Sequence, residues 1–185
     1  MIRHLHLLVA LAALAATAAC GIEPERRAVV VEGAALPADE APAEAADEEA
    51  PDATLVYLVS GDGLQAVQRA RRPTVAAALA ALLEGPRATE VAAGLRSAIP
   101  AGTTLLGATI VAGEIRVDLS EEFTTIVGEE HHLALAQVVF TATETGLVER
   151  VSIAIEGTVV PLSRADGQLS TGPVTKADYA PLAPR

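Results

Sequence analysis

Residues 113–143, which read GEIRVDLSEEFTTIVGEEHHLALAQVVFTAT, constrain the fold most, because they change from the periodicity of a strand to that of a helix. Ile115, Val117 and Leu119 alternate with polar residues, which predicts a strand with one buried face. From His132 to Thr143, apolar residues such as Leu135 and Val139 recur at helical spacing. We therefore predict a strand–loop–helix unit whose helix lies across a sheet.

The segments around this unit predict further strands and helices. A helix is expected from Val75 to Glu84, because Thr74 suits its N-cap and Gly85-Pro86 its end. Ala112-Gly113 predicts a tight turn that joins two strands into an antiparallel hairpin. The remaining expected elements are strands at 54–60, 64–70, 103–111, 147–156 and 158–162 and a short helix at 89–94.

The predicted fold class is therefore α+β. We expect a single compact domain at residues 54–162, with a mostly antiparallel sheet and two main helices packed on it. Beyond Ser163 the chain is polar and contains three prolines, so we expect residues 163–185 to form an extended, weakly ordered tail.

The N-terminal segment predicts secretion. Arg3 precedes an apolar run from Leu7 to Ala19, which is too short to span a bilayer and suits a signal peptide at residues 1–19. The small residues directly before Cys20 resemble the lipobox of bacterial lipoproteins, in which the cysteine becomes acylated, for example with palmitate. Cys20 is the only cysteine, so it has no partner for an intramolecular disulfide. We predict that Cys20 is the lipidation site; the alternative is an ordinary cleaved signal.

The chain's net charge of −11 is concentrated after Cys20. Residues 21–54 carry ten acidic and two basic side chains, with Pro37, Pro42 and Pro51 interrupting any helix. Like charges extend a chain that has little apolar surface to bury, so we predict a disordered linker at residues 20–53. Phosphate backbones require clustered Lys and Arg, and this balance excludes nucleic acid as an expected partner.

Acidic residues and two histidines gather where the main helix begins. Glu129 and His132 share a helix face, whereas adjacent His131 and His132 point about 100° apart. Zinc needs three or four converging ligands. We therefore interpret this segment as a polar helix start and predict no metal and no cofactor.

Asp118 and Ser120 end the central strand and suggest a nucleophile. No base lies at a readable spacing, however, and no G-x-S-x-G elbow is present. We interpret Asp118 as a hydrogen-bond acceptor that holds a loop, and we predict no catalytic residue. Asp118, Ser120, Glu129 and His132 remain a candidate functional surface.

The order of the motifs between residues 54 and 160 resembles the GerMN domain of spore-germination-type lipoproteins. The similar segments are Leu82-Leu83-Glu84-Gly85-Pro86, Ile99-Pro100-Ala101-Gly102-Thr103, Val117-Asp118-Leu119-Ser120 with Phe123, Gln137-Val138-Val139-Phe140-Thr141-Ala142-Thr143, and Glu156-Gly157. The resemblance implies a compact α+β domain on the outer face of the membrane, with roles in envelope assembly or signalling and no established enzyme activity. Relatives often carry tandem domains or a β-propeller, whereas this sequence shows one copy.

Two functions follow as hypotheses. The first is a membrane-anchored extracytoplasmic lipoprotein that displays one GerMN-like domain as a non-enzymatic binding or scaffold module in envelope, sporulation or germination-type processes. Its partners would be the membrane, through Cys20, and an unidentified envelope protein or a second copy of itself. The alternative is a small cell-wall or envelope hydrolase with an unrecognised site.

Overall fold

The computed structural model describes residues 52–184. The predicted signal peptide, Cys20 and nearly all of the predicted linker lie outside these residues. The strands are β1 (Thr54–Ser60), β2 (Gly63–Arg69), β3 (Leu105–Val111), β4 (Glu114–Leu119), β5 (Arg150–Ile155), β6 (Thr158–Val159), β7 (Leu162–Ser163) and β8 (Leu169–Ser170). The helices are α1 (Val75–Leu83), α2 (Ala88–Ala92) and α3 (Glu129–Thr143), with 3₁₀ segments at Glu121–Thr125 and Lys176–Leu182.

The predicted hairpin and helix at the start of the domain are confirmed. β1 and β2 pair antiparallel through the turn at Gly61–Asp62. The Thr74 hydroxyl accepts a hydrogen bond from the Ala77 N–H at 3.2 Å and so caps α1. Gly85, with a φ of +76°, ends the helix in a conformation that favours glycine.

The central unit joins β4 to β5 through α3. β3 and β4 form the predicted antiparallel hairpin, with a β-bulge between Leu105 and Gly107. β4 and β5 run parallel, and Glu114 lies opposite Arg150. A parallel pair requires a crossover, which α3 provides. Since the other strand pairs are antiparallel, the predicted α+β class is confirmed, although the strands form three separate sheets.

One apolar core lies between the sheets and the helices. The inward residues of β4, which are Ile115, Val117 and Leu119, are buried as their alternation predicts. α3 contacts α1, β1 and β5. The ring of Phe140 on α3 packs against that of Tyr57 on β1, with a centroid distance of 5.5 Å. Within residues 52–184, no helix has both the length and the apolar character needed to cross a membrane.

The expectation of a weakly ordered C-terminal tail is wrong. β8 pairs with β7, and Val174 exchanges two backbone hydrogen bonds with Val151 on β5, each 2.8 Å long. Tyr179 is fully buried, and its hydroxyl donates a hydrogen bond to the Ser163 carbonyl at 2.9 Å. Lys176 forms an ion pair with Glu144 at the end of α3. A polar segment therefore folds back because a few widely spaced side chains anchor it.

Candidate functional site

The four residues of the predicted surface fall into two pairs. Asp118 accepts a hydrogen bond from the Gly157 N–H at 2.9 Å, which is the loop-holding role that its sequence position suggests. The Ser120 hydroxyl accepts one from the Thr104 N–H at 3.0 Å. A hydrogen bond from Ser120 also lowers the pKa of the Glu122 carboxyl. Asp118 and Ser120 therefore hold the turns that surround the end of β4.

Glu129 and His132 belong instead to a cleft at the start of α3. The cleft has a volume of about 350 Å³ and includes Asp62 from the β1–β2 turn and Arg96. Gly128 precedes the helix with a φ of +69°, which favours glycine, and Glu129, Glu130 and His132 of the first turn line the cleft. Both members of this pair thus lie where a partner from outside has access to them.

An ion pair closes one side of this cleft. The Arg96 guanidinium donates two hydrogen bonds to the Glu130 carboxylate, at 2.6 and 2.8 Å. Both side chains are about half exposed, so this pair contributes little to stability. The paired hydrogen bonds hold the Arg96 guanidinium against the Glu130 carboxylate at the wall of the cleft.

The two adjacent histidines face different cavities. His132 lines the cleft, whereas His131 lines an apolar pocket of about 210 Å³ with Phe123 and Leu135. Their rings are 6.4 Å apart, and this division follows the expected angle between neighbouring helical side chains. Within residues 52–184, no group of three or more His, Cys, Asp or Glu residues is arranged to hold a metal ion.

One serine–histidine contact has the residue types of a nucleophile and base. The Ser163 hydroxyl lies 3.3 Å from the Nδ1 atom of His131. Burial of His131, and then the nearby His132, lower the pKa of the His131 imidazole. In the described part of the chain, the ring neighbours of His131 are Phe123 and His132, and no carboxylate is seen to orient it. The contact therefore lacks the orienting third group that is diagnostic of an activated nucleophile.

A buried polar contact that the sequence pattern did not predict fixes α3 to β1. Gln137 is fully buried. Its side-chain oxygen accepts a hydrogen bond from the Ala98 N–H, and its amide nitrogen donates one to the Tyr57 carbonyl, both at 2.8 Å. The Thr141 hydroxyl accepts one from the Tyr57 N–H at 3.1 Å. A glutamine on the apolar side of a helix was the available signal.

A second buried contact joins β2 to α2. The Arg69 guanidinium lies buried and binds both oxygens of the Glu90 carboxylate. The hydrogen bond from Arg69 lowers the pKa of Glu90. Arg69 lies near Arg71 and Arg72 in the sequence, yet it acts here as an internal tie between two elements.

The comparisons with known proteins agree with this architecture. A family model described as "Germane: Sporulation and spore germination" matches residues 55–161. Among solved structures, the chain is similar to the first GerMN domain of the sporulation protein GerM from Bacillus subtilis, with 20% identity and a TM-score of 0.55, covering 68% of this chain and 98% of that one. None of the curated proteins compared with the chain matches it significantly.

The same fold appears in a two-domain structure. The tandem GerMN domains of GerM from Bacillus subtilis match with 21% identity and a TM-score of 0.54. This match covers 68% of the present chain and 46% of the tandem one, so the chain spans under half the length of that relative. At this identity the likeness shows a shared fold.

Proposed function

We propose, from the family and the leader segment together, that the protein is lipid-anchored on the outer face of the membrane. The chain belongs to the Germane family of sporulation and spore-germination domains, as its motif order predicts. Its single GerMN-like domain serves there as a non-enzymatic binding or scaffold module in an envelope process.

One observation carries this proposal, namely that a Germane domain at residues 55–161 follows a leader-like segment ending at the chain's only cysteine. Acylation would make Cys20 the point of membrane attachment. Each buried CH₂ contributes about 0.8 kcal/mol, so a single chain binds marginally and two or three chains bind stably. The acidic segment between Cys20 and Thr54 would then hold the domain away from the lipid surface.

The contacts of the domain support a scaffold more than a hydrolase. The buried polar side chains of Gln137 and Arg69 are bonded to other parts of the fold. Asp118 and Ser120 bond to backbone N–H groups of loops. The cleft beside Glu129 and His132, in contrast, is open to a partner and carries charged side chains of both signs. We assign partner binding to this cleft.

Membrane attachment is tested by fractionating cells that produce the wild type, Cys20→Ser and the control Leu147→Ser. Leu147 is an exposed residue of the domain, so the control introduces the same side chain without touching the anchor. The wild type and the control should sediment with membranes and be released by detergent but not by high salt. The proposed anchor is refuted if Cys20→Ser remains in the membrane fraction to the same extent.

Partner binding is tested by crosslinking and pull-down from cell envelopes with the wild type and Arg96→Glu. Reversing the charge of Arg96 breaks its ion pair with Glu130 and adds a like charge to the cleft. The matched control is Arg72→Glu, an exposed arginine of the β2–α1 connection. We expect an envelope protein that Arg96→Glu loses and Arg72→Glu retains. Turnover in a hydrolase screen that Ser163→Ala and His131→Ala abolish would instead support the enzyme alternative.

A further inference from the structure

The outer edge of β3 has no strand partner within residues 52–184. β3 is the first strand of the sheet ordered β3-β4-β5-β6, so one of its sides has β4 as neighbour and the other has no strand. Its sequence, LLGATIV, contains no charge and no proline. Leu106, Ile110 and Val111 expose 50%, 47% and 66% of their surface. In residues 52–184, the backbone hydrogen bonds seen for 106–111 all remain within the hairpin with β4.

Two other sheet edges, those of β6 and β2, are protected by recognisable means. β6 has only two residues and is followed by Pro161. β2 is contacted by the 3₁₀ segment Lys176–Leu182. Short strands, prolines and coverage by another element are among the means by which proteins prevent unwanted strand pairing. β3 has the bulge at its first residues and contacts α1, and its uncharged residues 107–111 have no strand partner on the outer side within residues 52–184.

We propose that a second copy of the chain pairs with this edge, β3 against β3, in antiparallel register about a two-fold axis at Ala108. In this register Leu106 lies opposite Ile110 of the partner subunit, and Leu105 lies opposite Val111 of the partner subunit. Both pairs are apolar, and no charged residue faces a copy of itself. An isologous contact requires such self-complementarity. The two four-stranded sheets become one continuous sheet of eight strands.

The alternative occupant within the chain fits the edge less well. Val29-Val30-Val31 is the apolar stretch of the acidic segment. It has only three residues, with Arg27 and Ala28 before it and Glu32 directly after it. β3 offers seven residues without charge. Pairing with Val29–Val31 would leave more than half of the edge open and place charges beside Leu106 or Ile110. A second copy offers the same seven uncharged residues.

Anchoring determines where this dimer forms. Pairing through one strand edge buries less than the roughly 1,600 Å² of a standard interface, so the dimer is weak in dilute solution. Tethering raises the effective concentration of partners to about the millimolar range for short flexible linkers. Copies held on one membrane by Cys20 gain in the same way, and this step rests on the proposed lipid anchor.

The test uses the full chain in cells, with Ala108→Cys as the crosslinking variant. Directly opposite residues of an antiparallel pair approach closely enough for a disulfide or a short bifunctional thiol reagent. Acylation occupies the Cys20 thiol, so the introduced thiol is the reactive one. Leu147→Cys, an exposed residue of the α3–β5 connection, is the matched control. We expect Ala108→Cys to give a crosslinked species of twice the chain mass and Leu147→Cys to give none.

Charge at the edge should then abolish the crosslink. Adding Ile110→Lys places two like charges near the axis, and Val111→Lys is a second variant should the first fail to accumulate. We expect at least a tenfold loss of crosslinked dimer with unchanged protein level. The proposal is overturned if Ala108→Cys crosslinks no better than the control, crosslinks to a different protein, or still crosslinks after the lysine substitution.

Fractionation of the same samples separates this proposal from the proposed anchor. If the protein is absent from the membrane fraction, the anchor is refuted, and the purified full chain that carries both Cys20→Ser and Ala108→Cys is then oxidised at about millimolar concentration. Dimer formed there through position 108 still supports β3 pairing. Monomer at that concentration refutes it.

Discussion

Replacing Gln137 by leucine is the most informative perturbation of the fold, because it removes one side chain and leaves two buried backbone groups without partners. These groups are the Ala98 N–H and the Tyr57 carbonyl. An unsatisfied buried group costs about 1–3 kcal/mol, so the two together cost about 2–6 kcal/mol. Burying a leucine side chain recovers part of this. We expect a net loss of about 2–4 kcal/mol in the free energy of unfolding.

Urea unfolding measures this loss as a lower midpoint with an unchanged slope. The matched control is Gln68→Leu, since Gln68 is exposed on β2; such surface substitutions change stability by about 0.5 kcal/mol or less. A loss for Gln137→Leu no larger than that of Gln68→Leu would refute the assigned role of Gln137 as the tie between α3 and β1.

Gln137→Glu adds a pH test of the same contact. The neutral carboxyl can accept from Ala98 and donate to Tyr57, whereas the ionised form loses the donor. Burial raises the pKa of this carboxyl in the folded state. Its stabilising contribution is therefore present below the unfolded pKa of about 4.3 and is lost as the pH rises. We expect the variant to be closest to the wild type near pH 4 and least stable near neutral pH.

Three further predictions concern the ties at the domain periphery. Tyr179→Ala should lower the free energy of unfolding in urea by about 3–5 kcal/mol. Tyr179→Phe removes only the hydrogen bond to Ser163 and should lower it by about 0.5–1.5 kcal/mol. An unchanged free energy of unfolding in both variants would support a disordered tail instead. Arg69 lowers the pKa of Glu90, so the stabilisation from this ion pair is present above the unfolded pKa of Glu90 and is lost as the pH falls through its folded pKa. On acidification, the urea midpoint of Glu90→Gln should therefore fall less than that of the wild type. Parallel curves of urea midpoint against pH would contradict this. Limited proteolysis should cleave between residues 23 and 54 and leave a fragment that extends through Tyr179, and protection of that region would contradict a free tether.

Local patterns were sufficient to predict much of the fold. The alternation of Ile115, Val117 and Leu119 identified the central strand and its buried face. Thr74 and Gly85 marked the ends of α1 because caps depend on residues within one turn. These features need no information from distant parts of the chain.

Contacts between distant residues were not predicted. The parallel pairing of Glu114 with Arg150 depends on where α3 returns the chain. The hydrogen bond from Tyr179 to Ser163 helps to hold the polar C-terminal segment against the domain. The composition of that segment had predicted a weakly ordered tail. At the candidate site, the spacing of Glu129 and His132 predicted their shared face, but Arg96 reaches Glu130 from 34 positions away. The closeness of such residues is decided by packing.

Our proposal makes Cys20 the acylated N-terminus of a membrane-held Germane domain. It can be tested by mass spectrometry of the full-length gene product, extracted from membranes with detergent. We expect an N-terminal peptide that begins at Cys20 and carries two or three acyl chains. A mature protein that begins at another residue, or that carries an unmodified Cys20, would contradict it.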